Sequence, residues 1–318
     1  MLQELVDYAL YGIFGLSPEA KWAMSLNFFL YDSVKIILLL LVMISVLGFF
    51  RTYLPQEKVK AWMNKRRYGS GHLAASIFGA LTPFCSCSSI PIFLGFMESG
   101  IPLGIGLSFL ITSPLVNEYL VVLMLGFFGW KITLAYVASG IILGTAAGLL
   151  LGRLGLEKEL VRDLISSRKT KGKQYKEWKE RVRFGLGEAL EVLKKLWLWI
   201  LAGVAVGALI HNFVPEDSIR MIIEAGGVFA VPLAVVVGVP IYANCAAVLP
   251  IALVLFQKGV PLGTALAFMM ATSALSLPEA VILRRAMKLK LILIFFGTVA
   301  AGIVLTGYLF NLLQGLLA

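Results

Sequence analysis

Two cysteines, four hydroxyls and two prolines fall within ten residues, Thr82-Pro83-Phe84-Cys85-Ser86-Cys87-Ser88-Ser89-Ile90-Pro91, inside otherwise apolar sequence. Thiolates are soft ligands that bind and exchange thiophilic solutes. Prolines remove backbone donors, and hydroxyls in lipid must find partners within the protein. The stretch therefore reads as a break in a membrane segment that faces protein or water. A second break, Ile241-Tyr242-Ala243-Asn244-Cys245-Ala246-Ala247-Val248-Leu249-Pro250, follows 159 residues later. Cys245 aligns with Ser86, so a pseudo-twofold arrangement would gather Cys85, Cys87 and Cys245 at one site, with Ser86, Ser88 and Asn244 beside them. The competing explanation is packing, because cysteine is also a small hydrophobe.

Thr112-Ser113-Pro114 and Thr272-Ser273, with Ser276 and Pro278 just beyond, read as hydroxyl N-caps that open half-helices. Their free N–H groups could receive an anionic or polar solute, or simply cap a kink. Asn117, Glu118 and Glu279 fall in the first turns of these half-helices. Carboxylates inside a membrane are costly and point to a proton or ion path, unless they only complement the helix dipole or pair with a base such as Arg284. Neither His72 nor His211 lies close enough to the cysteines to complete a tetrahedral metal set, so no metal is expected. No cofactor motif is present: Gly172-Lys173 lacks both the first glycine and the Ser/Thr of a phosphate-binding loop.

The elements that must position these residues follow from composition. With 59% hydrophobic and 14% charged residues and a mean hydropathy of +0.89, the chain falls in the all-α polytopic membrane class. The net charge of +10 lies mostly in hydrophilic stretches beside apolar spans, where a cytoplasmic bias puts it, so no nucleic-acid partner is expected. Three cysteines, all in apolar sequence, form no secreted disulfide framework. Residues 1–25, with Tyr8, Tyr11, Phe14 and Trp22, read as an interfacial segment and not a cleaved leader. Residues 26–152 form a first transmembrane repeat, 153–185 a basic cytoplasmic linker, and 186–318 a second repeat.

Spans are expected at 32–51, 102–128, 132–151, 189–210, 261–285 and 291–315, with broken segments at 72–98 and 227–257. Basic loops at 51–67 and 153–183 should share the cytoplasmic face, yet three apolar segments lie between them. One of them must therefore enter and leave on the same side, and 72–98, with two arms of about ten residues, suits a re-entrant hairpin. Gly79, Pro91, Gly100, Pro102, Leu103, Gly104, Leu107 and Phe109 recur 159 residues on as Gly238, Pro250, Gly259, Pro261, Leu262, Gly263, Leu266 and Phe268. Each repeat then holds three crossings plus a hairpin, and an odd number of crossings inserts the second copy upside down. Inverted repeats with broken helices are the architecture of secondary transporters.

The motif at 82–91, with Ile111-Thr-Ser-Pro-Leu-Val-Asn-Glu118 downstream, resembles the ArsP/YraQ-type permease family over nearly the whole chain. The resemblance implies a multi-pass permease of the plasma membrane exporting trivalent organoarsenicals, with Cys85, Cys87 and Cys245 as thiol ligands. It implies transport and not enzymatic catalysis. Two other readings stay open: transport of a small sulfur-containing anion at the half-helix N-termini, and a thiol-redox relay served by a thioredoxin-like soluble partner. The sequence also leaves room for a homo-oligomer.

Overall fold

The computed structural model describes residues 2–17, 20–51, 69–81, 86–98, 100–161, 178–213, 226–241, 245–257, 259–284 and 286–317. Every element there is helical. The one extended pairing among these residues is an isolated antiparallel bridge between Leu160 and Met287.

The chain begins with α1 (Leu2–Asp7), which runs into a π-helical turn at Tyr8–Ile13. Asn27 Nδ2 and Gln3 Nε2 both donate to Asp7 Oδ1, which fastens this segment to α2 (Lys21–Arg51). Trp22, expected on the interfacial segment, is a residue of α2. The first span thus starts 11 residues before the expected Asp32, because nothing between Lys21 and Asp32 interrupts the helix. α2 lies along α7 (Trp178–Phe213), where a Cβ on Gly185 would overlap the carbonyl of Ser45. α7 begins inside the stretch read as linker, so its basic first turns extend the span at 189–210 as one helix. The loops at 52–68, 162–177 and 214–225 lie outside the described residues.

Between α2 and α7 stand α3 (Ser70–Leu81), α4 (Ser86–Glu98), α5 (Leu103–Leu115) and α6 (Glu118–Arg153). α3 and α5 run parallel: a Cβ on Gly71 would meet Ile105, and one on Gly79 would lie 3.0 Å from the carbonyl of Phe109. α4 returns antiparallel to α5, with Phe96 edge-on to Phe109 at 5.2 Å and Ser89 against Ser113. α3 therefore rises to the level of Ser113, and α4 runs back from that level. α4 ends where the sequence puts a turn. Gly100 adopts φ 76, and Ile101 N–H and Gly100 N–H close onto Phe96 O and Met97 O in a Schellman cap.

α5 and the first arm of α6 are two halves of one crossing, broken at Val116 and Asn117. Gly129, at φ 79 and ψ 172, then turns the chain so that the second arm runs back antiparallel to α5. Only glycine enters that backbone region readily.

The remaining helices repeat this order: α8 (Ala230–Gly238), α9 (Cys245–Gln257), α10 (Leu262–Ala274), α11 (Leu277–Leu283) and α12 (Leu289–Leu317). The contacts repeat at the offset that the sequence shows. A Cβ on Gly238 would lie 3.2 Å from Phe268 O, and one on Gly79 3.0 Å from Phe109 O. Gly263 meets the carbonyl of Gly307, as Gly104 meets that of Gly148. Gly259, at φ 97, caps α9 through Gly259 N–H to Phe256 O and Val260 N–H to Leu255 O.

Three helical runs among the described residues are long and apolar enough to cross a membrane: Leu120–Arg153, Leu262–Leu283 and Leu289–Gly315. Beyond α6, residues 157–161 reach the chain between α11 and α12. Val161 N–H donates to Ala286 O and Lys288 N–H to Glu159 O.

Candidate functional site

Four elements of the first half converge on the break between α5 and α6. α5 is buried along its whole length, from Leu103 to Leu115. Thr112 and Ser113 lie in its last turn, not at the start of a half-helix: the Thr112 hydroxyl bonds back to Ser108 O at 2.9 Å. The N-cap of the following half-helix is Asn117, whose Oδ1 accepts from Leu120 N–H at 2.8 Å. The second half follows suit. Thr272 and Ser273 end α10, with the Thr272 hydroxyl bonded to Met269 O at 2.9 Å and Phe268 O at 3.1 Å. Ser276 caps α11, its Oγ accepting from Glu279 N–H at 3.4 Å. The correction has a simple cause: a helix end and the next helix start lie within five residues here, and a buried threonine that bonds its own preceding carbonyl needs no cap role.

A broken crossing leaves backbone carbonyls and N–H groups without helical partners. The protein fills them differently in its two halves. Tyr136, fully buried on the returning arm of α6, donates its hydroxyl to Leu115 O at 2.9 Å. In the second half the backbone does this work, Leu277 N–H reaching Val239 O at the end of α8.

The cysteine-bearing turn meets this break through Ser89. Its hydroxyl lies 2.7 Å from that of Ser113, and both side chains are fully buried. Because Ser89 is in the opening turns of α4, residues 86 to 88 lie at the level of the α5–α6 break. Thr82, Pro83, Phe84, Cys85 and Asn244 lie outside the described residues. So do the side chains of Ser86, Cys87, Ser88 and Cys245. Cys245 itself opens α9 as Ser86 opens α4. The sequence reading passed over Ser89 as a site residue, although its place between two prolines and one helical turn from Ser86 carried the signal.

The two carboxylates are not counterparts. Aligned by their caps, Glu118 is the first helical residue after Asn117 and is exposed, whereas Glu279 is the third after Ser276 and is 2% exposed. The residue of the first half in the place of Glu279 is Leu120, 0% exposed. Ser276-Leu-Pro-Glu279 has the spacing of a capping box, which accounts for a glutamate at this position but not for its complete burial. Glu279 thus stands in the core where the other half places a leucine.

Residues 21–312 match the ArsP-type family described as "Predicted permease". Among individual proteins, the chain is 23% identical to one from Streptococcus mutans serotype c named as a subunit of a two-component membrane permease complex, over 55% of this chain and 58% of that one. It is 23% identical to the UPF0718 protein YcgR of Bacillus subtilis, over 43% of this chain and 46% of the relative. The UPF0718 protein YraQ of Escherichia coli K12 is 22% identical over 80% of this chain and 71% of its own. The chain spans about half the length of the first two relatives. No solved structure matches it.

Proposed function

The chain belongs to this predicted permease family, and from that membership we propose that it carries a small thiophilic solute, a trivalent organoarsenical, across the membrane through a site at the level of its two helix breaks. Cys85, Cys87 and Cys245 supply soft ligands, and Ser86, Ser88, Asn244, Thr112, Ser113, Thr272 and Ser273 supply the polar surroundings. A trivalent arsenical exchanges one thiolate for another, so a few thiols can pass it onward without trapping it.

The observation that supports this reading is the 2.7 Å hydroxyl contact between Ser89 and Ser113, which joins the start of α4, where the cysteine motif enters the helix, to the last turn of α5. Two further contacts support opposite insertion of repeats 26–152 and 186–318. Phe128, at the far end of the first broken crossing, packs with ring centroids 6.0 Å apart and tilted by 50° against Phe256, at the base of the second hairpin. Leu160, beyond the base of the first half, pairs with Met287, at the far end of the second. Each contact joins the far end of one half to the base of the other. The second pairing also brings the basic stretches around Arg153 and Lys288 to a common face, which we assign to the cytoplasm of an inner-membrane protein. Glu279 is the coupling group in this scheme.

The test is uptake of methylarsonous acid, with thiosulfate in parallel, into everted membrane vesicles bearing the native protein or Cys85→Ser, Cys87→Ser or Cys245→Ser. Loss of arsenical flux by at least tenfold in each variant is expected, with expression unchanged. Thiosulfate flux that ignores all three substitutions would favour the anion reading, and arsenical flux that ignores them would remove the thiols from the mechanism.

A further inference from the structure

We infer that His72 is a proton-binding site at the mouth of a hydroxyl-lined seam that opens to one membrane face only, the face on which α6 ends. The inference rests on the permease reading for what the proton drives, but not for the site itself.

The imidazole sits in the first turn of α3, half-buried, with Nδ1 3.0 Å from Ser108 Oγ. The Ser108 hydroxyl also reaches Gly104 O, at 3.1 Å. Whichever ring nitrogen carries the hydrogen of the neutral imidazole, the other keeps the lone pair that accepts a proton. Uptake transfers H⁺ from hydronium to that lone pair, giving an imidazolium and a water molecule. Release is the reverse. Glycines make the slot: a Cβ on Gly104 would come within 2.8 Å of His72 Cε1, one on Gly152 within 3.6 Å, and one on Gly148 would overlap Ser108 Oγ. Of the helices packed on α3, α5 has no ionisable residue at all. α6 contributes Arg153, whose charge acts on the ring from the last turn of that helix.

Inward from His72 the same three helices bring further hydroxyls together. Thr145 Oγ1 lies 3.0 Å from Ser76 Oγ, one turn along α3, and Thr112 follows Ser108 one turn along α5. The series ends at the Ser89–Ser113 pair beside the helix break. Ser76, Ser89, Ser108, Thr112 and Ser113 are all fully buried.

The second half of the chain is an internal control. Its α8, α10 and α12 approach one another just as closely, Gly307 meeting Gly263, Ala267 and Val231. Yet at the same offset Val231 stands for His72, Val235 for Ser76, Val248 for Ser89, Ala267 for Ser108 and Val304 for Thr145. Packing of this helix trio thus needs neither the imidazole nor the hydroxyls. The second half keeps other buried hydroxyls on α10, Thr264, Thr272 and Ser273, with Asn311 Nδ2 donating to Thr264 Oγ1, but it has no imidazole at the mouth and no counterpart of Ser76, Ser89, Ser108 or Thr145.

The chain has two histidines, which makes a direct test simple. The full-length protein, labelled with ¹⁵N-histidine and reconstituted with uniform orientation in liposomes, should give two imidazole signals, with His72→Val or His72→Gln identifying that of His72. The His72 signal is expected to titrate, and to follow only the pH of the face bearing residues 153–161. A signal that does not titrate, or that follows the opposite face or both, overturns the inference. No solute is needed. In pyranine-loaded liposomes given methylarsonous acid, His72→Val should lower solute-driven proton movement at least tenfold, and Ser108→Ala should lower it less. Unchanged proton movement in His72→Val would also overturn the assignment. A titrating His72 in a protein that moves no arsenical would instead count against the proposed solute and leave the proton site standing.

Discussion

Glu279 is the residue whose position is hardest to explain by stability alone. It occupies a core site where the matching turn of the other half holds Leu120, and a carboxylate there costs more than a leucine unless its charge state is used. Glu118, two positions earlier relative to its cap, is exposed and carries no such cost. Glu279→Gln keeps the shape and removes the charge. It is expected to abolish the pH dependence of solute flux and slow flux at least tenfold, while Glu118→Gln stays within about twofold of the native protein. Flux measured across a pH series for both variants decides the matter, and equal behaviour of the two would remove Glu279 from coupling. The residue types that could do chemistry were legible in the sequence, but this inequality was not. Two glutamates near two breaks look equivalent until the N-caps, Asn117 and Ser276, fix a register that sets them two positions apart.

At the scale of the helix, the contacts that hold each half together are glycine contacts. On α6, a Cβ at Gly148 would overlap Ser108 Oγ and press on the backbone of Gly104, whereas one at Gly126, three residues before the Gly129 turn, would meet nothing within 4 Å. Close backbone approach is the main source of affinity between helices in lipid. Gly148→Ala is therefore expected to destabilise the fold by about 1–3 kcal/mol, as overpacking does. Gly126→Ala should be neutral or stabilising by up to about 1 kcal/mol, from helix propensity. Thermal unfolding in detergent micelles reads both, and a Gly148→Ala protein as stable as the native one would mean that α5 and α6 do not pack as described. The glycine and proline pattern had already marked the hairpin exits, since Gly100 and Gly259 can take the left-handed conformation that a Schellman cap demands. The half-helix starts were misplaced because threonine and serine before a proline look alike whether they end one helix or begin the next. The actual caps are decided by tertiary contacts such as Tyr136 to Leu115 O.

Across the whole molecule, the repeat was visible as a 159-residue offset, but an offset says nothing about the orientation of the second copy. Orientation follows from which ends touch. The tilted contact of Phe128 with Phe256 and the pairing of Leu160 with Met287 each link a base to a far end, and two such links at opposite ends of the crossings are hard to satisfy with parallel copies. Pro102 and Pro261 occupy the same place in the two halves, the N-cap of α5 and of α10, with φ −54 in both, and both are exposed. If the copies are inverted, these two prolines lie on opposite faces of the membrane. Pro102→Cys and Pro261→Cys, each in a background lacking the native cysteines, should then react with a membrane-impermeant maleimide from opposite sides of sealed vesicles. Labelling of both from one side would make the halves parallel. The breaks would then open towards a single surface, and a shared central site for Cys85, Cys87 and Cys245 would have no geometric basis.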